Sequence, residues 1–64
     1  MGNAFQVRAL RAASRLMGRP ERLRDMLGAP PGAFCRWIDG YEPMPPAVLA
    51  RVLDFLAHME SAAR

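Results

Sequence analysis

This sequence of 64 residues contains nine arginines and no lysine, so all of its permanently cationic side chains are arginines. The arginines are unevenly distributed along the chain. A guanidinium group stays charged and presents a planar fork of N–H donors that matches phosphate oxygens and the acceptor edge of guanine. Residues 1–24 hold six arginines against one acid, Glu21, a net charge of +5. The remaining residues hold three arginines against five acids, a net charge of −2. This asymmetry favours a polyanion or an acidic partner facing the N-terminal third.

The sequence offers little to an enzyme or to a metal site. Its single cysteine, Cys35, and its single histidine, His58, cannot form a zinc site by themselves, and neither Cys35 nor any serine has a credible base. We therefore expect no catalytic residue, no cofactor and no metal. Cys35 also cannot form an internal disulfide, which is compatible with a reducing cytoplasm. We expect a cytoplasmic protein with no contact to a membrane, because the longest apolar runs are only a few residues long.

Glycines and prolines divide the sequence into segments whose apolar residues have helical spacing, and no segment shows the alternation typical of a strand. Prolines favour first helical turns and glycines favour helix ends, which sets the predicted boundaries. The predicted helices cover about residues 4–17, 20–27, 31–39 and 46–62. The sequence therefore predicts an all-α fold, a compact bundle of about four helices forming a single domain over residues 1–64. A core of this size is thin, so close helix packing or a second copy of the chain is expected to support it.

Each predicted helix has one apolar stripe that we expect to face the core. In the first helix the arginines Arg8, Arg11 and Arg15 fall together on the other side. The predicted inward residues are Phe5, Val7, Ala9, Leu10, Ala13, Leu16, Met17, Leu23, Met26, Leu27, Phe34, Trp37, Ile38, Leu49, Val52, Leu53, Leu56 and Met59. Trp37 is expected to pack in the core and not to stack on nucleobases, since single-strand binders usually display aromatic residues in sets on open sheets.

The segment RLRDMLGAPPGAFCRWIDG, followed by PAVLARVLDFL, resembles the Cro/C1-type (XRE-like) helix-turn-helix family of phage repressors and bacterial regulators. The similarity covers about residues 19–56. The matching hydrophobic and glycine positions are Leu23, Leu27, Gly28, Phe34 and Trp37. The resemblance implies a lambda-repressor-like fold with a helix-turn-helix at about residues 20–39, whose second helix enters the major groove of double-stranded DNA. It thus implies a DNA-binding transcriptional regulator.

Two sets of contact residues follow from this hypothesis. The groove-facing positions that the family implies for base contact are Pro31, Gly32, Ala33, Cys35 and Arg36. The candidates for phosphate contact are Arg11, Arg15, Arg19, Arg22 and Arg24. Only Arg36 among the groove-facing residues has a side chain suited to a bidentate contact with guanine. We therefore expect weak direct base readout and an affinity that comes mainly from phosphates and depends steeply on salt.

Three features depart from the family's pattern and keep an alternative open. Arg24 stands where the family has a small residue between touching helices, and Pro20 stands where many relatives have a phosphate-binding glutamine. The groove-facing stretch at residues 30–33 consists of proline, glycine and alanine. The alternative is a protein-interaction module on a degenerate helix-turn-helix scaffold that does not bind DNA. Its partner would be an acidic or apolar protein, and under either hypothesis a homodimer is possible.

Overall fold

A computed structural model describes residues 3–62 of the chain, and these residues form four α-helices. The helices are α1 (Asn3–Met17), α2 (Pro20–Leu27), α3 (Pro31–Ile38) and α4 (Pro46–Ala62). No strand occurs within the described range. The predicted all-α class is therefore confirmed, and every predicted helix end lies within one residue of the observed end.

Proline and glycine set the ends of the helices by their backbone chemistry. Pro20 and Pro31 open α2 and α3, where a fixed φ suits the helix and the missing N–H has no helical partner to lose. Gly28 ends α2 in the left-handed conformation, with φ 65°. The N–H groups of Gly28 and Ala29 then donate to the carbonyls of Asp25 and Arg24, each at 3.1 Å. These bonds close α2 and turn the chain into α3 within a few residues.

The core draws on all four helices and on the loop between α3 and α4. Its buried members are Ala9, Leu10, Ala13, Leu23, Leu27, Phe34, Trp37, Met44 and Val52. Helix α1 packs against each of the other three helices, and α2 also packs against α4. Alanines at two of the α1 core positions allow neighbouring helices to approach closely. Contacts with three helices bury one side of α1, while the side that carries Arg8, Arg11 and Arg15 stays exposed.

Four residues predicted to face the core are exposed instead. Phe5 is 56% exposed, Leu16 52%, Met26 40% and Leu53 38%. The physical reason is that the apolar stripes of α1, α2 and α4 are wider than the sector that neighbouring helices cover. In contrast, Met44 is buried although no helical pattern predicts it. Its backbone N–H donates to Gln6 Oε1 at 2.8 Å, which fixes the start of α4 beside the first turns of α1.

We expect Ser14→Ala to raise the free energy of unfolding by about 1 kcal/mol. Ser14 is 7% exposed, and its Oγ has no hydrogen-bond partner among the described residues. The substitution removes an unpaired buried hydroxyl and introduces a better helix former. Urea denaturation measures the change, with Ser61→Ala on exposed helix surface as the matched control. Equal gains from both variants would show that burial of the Ser14 hydroxyl costs nothing.

Candidate nucleic-acid interface

Two shallow grooves adjoin where α1, α2 and α3 meet. The first, of about 330 Å³, is lined by Arg11 and Arg15 of α1. The second, of about 200 Å³, is lined by Arg24 of α2 and by Pro31 and Cys35 of α3. Pro20 and Ile38 line both grooves, so the grooves form one continuous surface. We call it the arginine surface, defined by Arg11, Arg15, Arg24, Pro31 and Cys35.

The arginine surface exists because α1 presents its charged side to solvent. Arg8, Arg11 and Arg15 are spaced three and four residues apart, so they share one helical face, and all are exposed. The opposite side of α1 is held down by the buried residues Leu10 and Ala13. The predicted phosphate contacts Arg11 and Arg15 therefore lie side by side, and Arg8 extends the same stripe toward the start of α1.

Helix α2 brings only part of its arginine set to this surface. Arg24 lines the second groove, and Arg19, just before Pro20, is exposed at the start of the helix. Arg22 is exposed too, but it lies two positions before Arg24 in the helix. This spacing puts the two side chains about 160° apart around the helix axis. The structure therefore brings Arg11, Arg15 and Arg24 together and leaves Arg22 on another side of α2.

The local charges make the α1 end of the arginine surface more attractive to an anion than the α2 end. Arg24 Nη2 lies 3.5 Å from Asp25 Oδ1, an exposed ion pair of little energetic weight that still offsets the arginine charge. Glu21 also lines the second groove. Its carboxylate suits the positive end of α2 but repels an anion approaching there. Positive potential is consequently strongest at the first groove, beside Arg11 and Arg15.

The exposed face of α3 holds four of the predicted base-contact residues. Pro31, Gly32, Cys35 and Arg36 are exposed on one side of the helix. Ala33 is half-buried and packs against the core, so it does not belong to this face. Phe34 and Trp37 are buried beneath it, in agreement with the prediction that Trp37 packs in the core. The other exposed residues of this face have small side chains, so Arg36 is its one long cationic side chain.

Arg36 is engaged by an acid that the sequence analysis did not single out. Its Nε donates to Glu42 Oε1 at 2.5 Å, and both side chains are about half exposed. The N–H groups of Tyr41 and Glu42 donate to the Arg36 carbonyl at 2.8 and 3.3 Å, which holds the loop against the end of α3. Arg36 Nη1 lies 3.4 Å from the point that a Cβ on Gly32 would occupy. The guanidinium therefore lies back over Gly32, across the exposed face of α3.

The Glu42 contact has a sequence signal, although a weak one. Six positions separate Glu42 from Arg36, too many for pairing within a helix, so a turn must bring them together. Gly40 supplies that turn with φ 83°. A glycine just after a predicted helix, with an arginine before it and an acid after it, is the pattern that could have predicted the pair.

A separate groove of about 430 Å³ lies between α2 and α4, away from the predicted contact residues. Met26 and Phe55 supply its apolar lining, and Arg51, Asp54 and His58 supply its polar lining. Because an arginine and an aspartate share it, this groove has no strong preference for an anion. Among residues 3–62, no three potential metal ligands cluster, and none of the helices has the length and apolar character needed to cross a bilayer.

Comparison with family models, with curated proteins and with solved structures gives no match to this chain. The geometry and charge of the arginine surface are therefore the grounds on which a function can be assigned.

Proposed function

We propose that the protein is a DNA-binding transcriptional regulator in which α2 and α3 form a helix-turn-helix. The observation that carries the proposal is the arginine surface: guanidinium groups of α1 and α2 line grooves that continue onto the exposed face of α3. Arginines from separate elements around one exposed helix match a duplex, whose phosphates flank the groove that the helix enters.

The dimensions of α3 suit such a contact. An α-helix such as α3 is about 10–12 Å in diameter with its side chains, which matches the roughly 12 Å width of the major groove of DNA. Gly32 and Pro31 add little bulk, so the backbone of α3 can approach the base edges once the Arg36 guanidinium moves from its position over Gly32 toward a base. Arg36 is then the one side chain on that face with donors for guanine, and Arg11 and Arg15 supply phosphate contacts.

Titration of the full chain with mixed-sequence duplex DNA at several salt concentrations tests the proposal. Four phosphate contacts, from Arg11, Arg15, Arg19 and Arg24, predict that log Kobs falls against log salt with a slope of about −4. Absence of binding even at low salt would contradict DNA binding. If Arg36→Ala binds DNA as tightly as wild type, this result would contradict only the proposed base contact of Arg36. The proposed phosphate contacts would be unaffected.

We expect Glu42→Gln to tighten binding to mixed-sequence duplex about threefold. The substitution removes a carboxylate that would face DNA phosphates and frees the Arg36 guanidinium from its ion pair. Fluorescence anisotropy with labelled duplex measures the change. Because the two side chains are in contact, the gain should shrink when Arg36 is already replaced by glutamine.

Asp39→Asn is the charge-matched control for Glu42→Gln, since Asp39 is an exposed acid at the end of α3. An equal gain from Asp39→Asn would mean that net charge alone causes the effect. A gain from Glu42→Gln that persists in full without Arg36 would show that the ion pair does not control Arg36.

One observation favours a second candidate function, a protein-interaction module that does not bind DNA. The second groove is mostly apolar, with Pro31, Phe34, Cys35 and Ile38 in its lining. Such a groove suits a protein partner, and the nearby arginines favour an acidic one. Binding of an acidic peptide, together with no binding of duplex DNA at low salt, would favour this candidate over the first.

A further inference from the structure

Ser14 is a buried polar side chain without a hydrogen-bond partner, and it lines the first groove. The residue is 7% exposed, and its Oγ has no partner among the described residues. A serine inside a helix usually either faces solvent or donates to the carbonyl four residues before it. Ser14 does neither. Its hydroxyl is therefore an unused donor beside a cationic groove.

Two guanidinium groups lie next to this hydroxyl. Ser14 and Arg15 follow Arg11 by three and four positions, and residues at these spacings are neighbours on a helix surface. All three residues line the first groove, and no described acid lines it. Both arginines are exposed, whereas Ser14 is buried. The groove thus combines two cationic groups at its rim with one uncharged donor beneath them.

We propose that the first groove binds a small phosphate monoester, with Arg11 and Arg15 neutralising its charge and Ser14 Oγ donating to one of its oxygens. The phosphate of a monoester has three terminal oxygens and a charge of about −1.5 to −2 at neutral pH. Two guanidinium groups and one further donor match both the charge and the number of oxygens. A buried hydroxyl without a partner costs stability, and a ligand oxygen would supply the missing partner.

The depth of the hydroxyl distinguishes this ligand from a DNA backbone phosphate. A backbone phosphate is a diester with a sugar on each side, so the width of the duplex keeps it at the rim with the exposed arginines. A monoester has one free end, which can enter the groove. Ser14 has a single side-chain torsion, so one rotamer change turns its Oγ toward the entering oxygen.

The size of the groove limits the organic part of the ligand. Its volume of about 330 Å³ lies at the lower end of the range for small-molecule sites. Pro20 and Ile38 supply apolar wall next to the arginines. The groove therefore suits a short organic substituent on the phosphate.

The consequence for DNA, unlike the binding itself, rests on the proposed function. Arg11 and Arg15 are also the proposed phosphate contacts of the DNA interface. A bound monoester occupies both guanidinium groups and competes with the duplex for them. The ligand would then act as an effector that releases DNA.

Titration of the full chain with methyl phosphate, without DNA and at constant ionic strength, tests the binding. The backbone amide NMR signals of residues 11–18 are expected to shift and saturate. Ser14→Ala should raise the dissociation constant about tenfold, because a hydrogen bond to a charged group is lost. Ser61→Ala, on the exposed surface of α4, should bind like wild type. Since Ser14→Ala is also expected to stabilise the fold, its weaker binding would not come from unfolding.

Dimethyl phosphate, a diester without a free end, should bind more weakly than methyl phosphate. Equal binding of the two esters would overturn the assignment of a monoester. Absence of saturable shifts with methyl phosphate would overturn the site, and so would an unchanged affinity of Ser14→Ala. Arg15→Gln provides a second variant on the exposed side of α1, and it too should weaken binding, whereas Arg22→Gln on another side of α2 should not.

Fluorescence anisotropy with labelled duplex measures the competition. Methyl phosphate should displace the duplex from wild type at concentrations where sodium chloride of equal ionic strength does not, and Ser14→Ala should require about tenfold more. A chain that binds methyl phosphate but no duplex would contradict the proposed function and support the groove site. A chain that binds duplex but no methyl phosphate would overturn the groove site alone.

Discussion

Replacing Arg11 and Arg15 together by glutamine is expected to weaken binding of mixed-sequence duplex DNA about 30-fold at moderate salt. The two guanidinium groups line one groove next to the start of α2, where no acid lines the same groove. Each is expected to supply one charge-assisted contact to a phosphate, and two contacts of about 1 kcal/mol each multiply to that factor. The salt slope should become shallower by about 2, since two fewer counterions are released.

The matched control is Arg22→Gln combined with Arg51→Gln. It removes the same charge from other parts of the protein. Arg22 lies about 160° around α2 from Arg24, and Arg51 lines the groove between α2 and α4. We expect less than a fivefold loss from this pair, since only the long-range field changes. Equal losses from both pairs would contradict a defined arginine surface and would mean that DNA responds to net charge alone.

The helix ends were predictable because proline and glycine act locally. Pro20 and Pro31 fix φ wherever they stand, and Gly28 is the residue that tolerates the left-handed turn its position requires. Such constraints do not depend on how the helices later pack. The fold class and the helix bounds therefore followed from the sequence with little error.

The exposed parts of the apolar stripes were not predictable in the same way. Helical spacing shows that Phe5, Leu16 and Leu53 belong to stripes, but the width of the covered sector depends on where the neighbouring helices lie. That information is tertiary. The same limit explains Met44, whose burial follows from a loop path that has no periodicity.

The candidate interface was predictable in part for a related reason. The stripe of Arg11 and Arg15 follows from spacing on a long amphipathic helix, so those two residues were placed together correctly. Arg22 and Arg24 lie on a short helix, and its orientation decides which of them joins the surface. The Arg36 ion pair needs a turn at Gly40 to form, and charge counting cannot reveal that turn.

Trp37→Ala is expected to destabilise the protein by about 3–5 kcal/mol and to unfold it at room temperature. Trp37 is only 6% exposed and belongs to the same buried cluster as Phe34 and Leu27. Its removal leaves a cavity that α3 cannot fill without moving, and a core of this size provides only a few kcal/mol in total. Circular dichroism should show loss of most helix, and DNA binding should be lost with it.

Trp37→Phe separates packing from every other role of this side chain. Phenylalanine retains most of the buried ring and removes Nε1, which has no hydrogen-bond partner among the described residues. The smaller ring costs about 1–2 kcal/mol, partly offset by the loss of that unpaired donor, so the variant should stay folded. Its affinity for duplex DNA should then equal that of wild type. A folded Trp37→Phe variant with much weaker DNA binding would contradict a role of Trp37 in core packing alone.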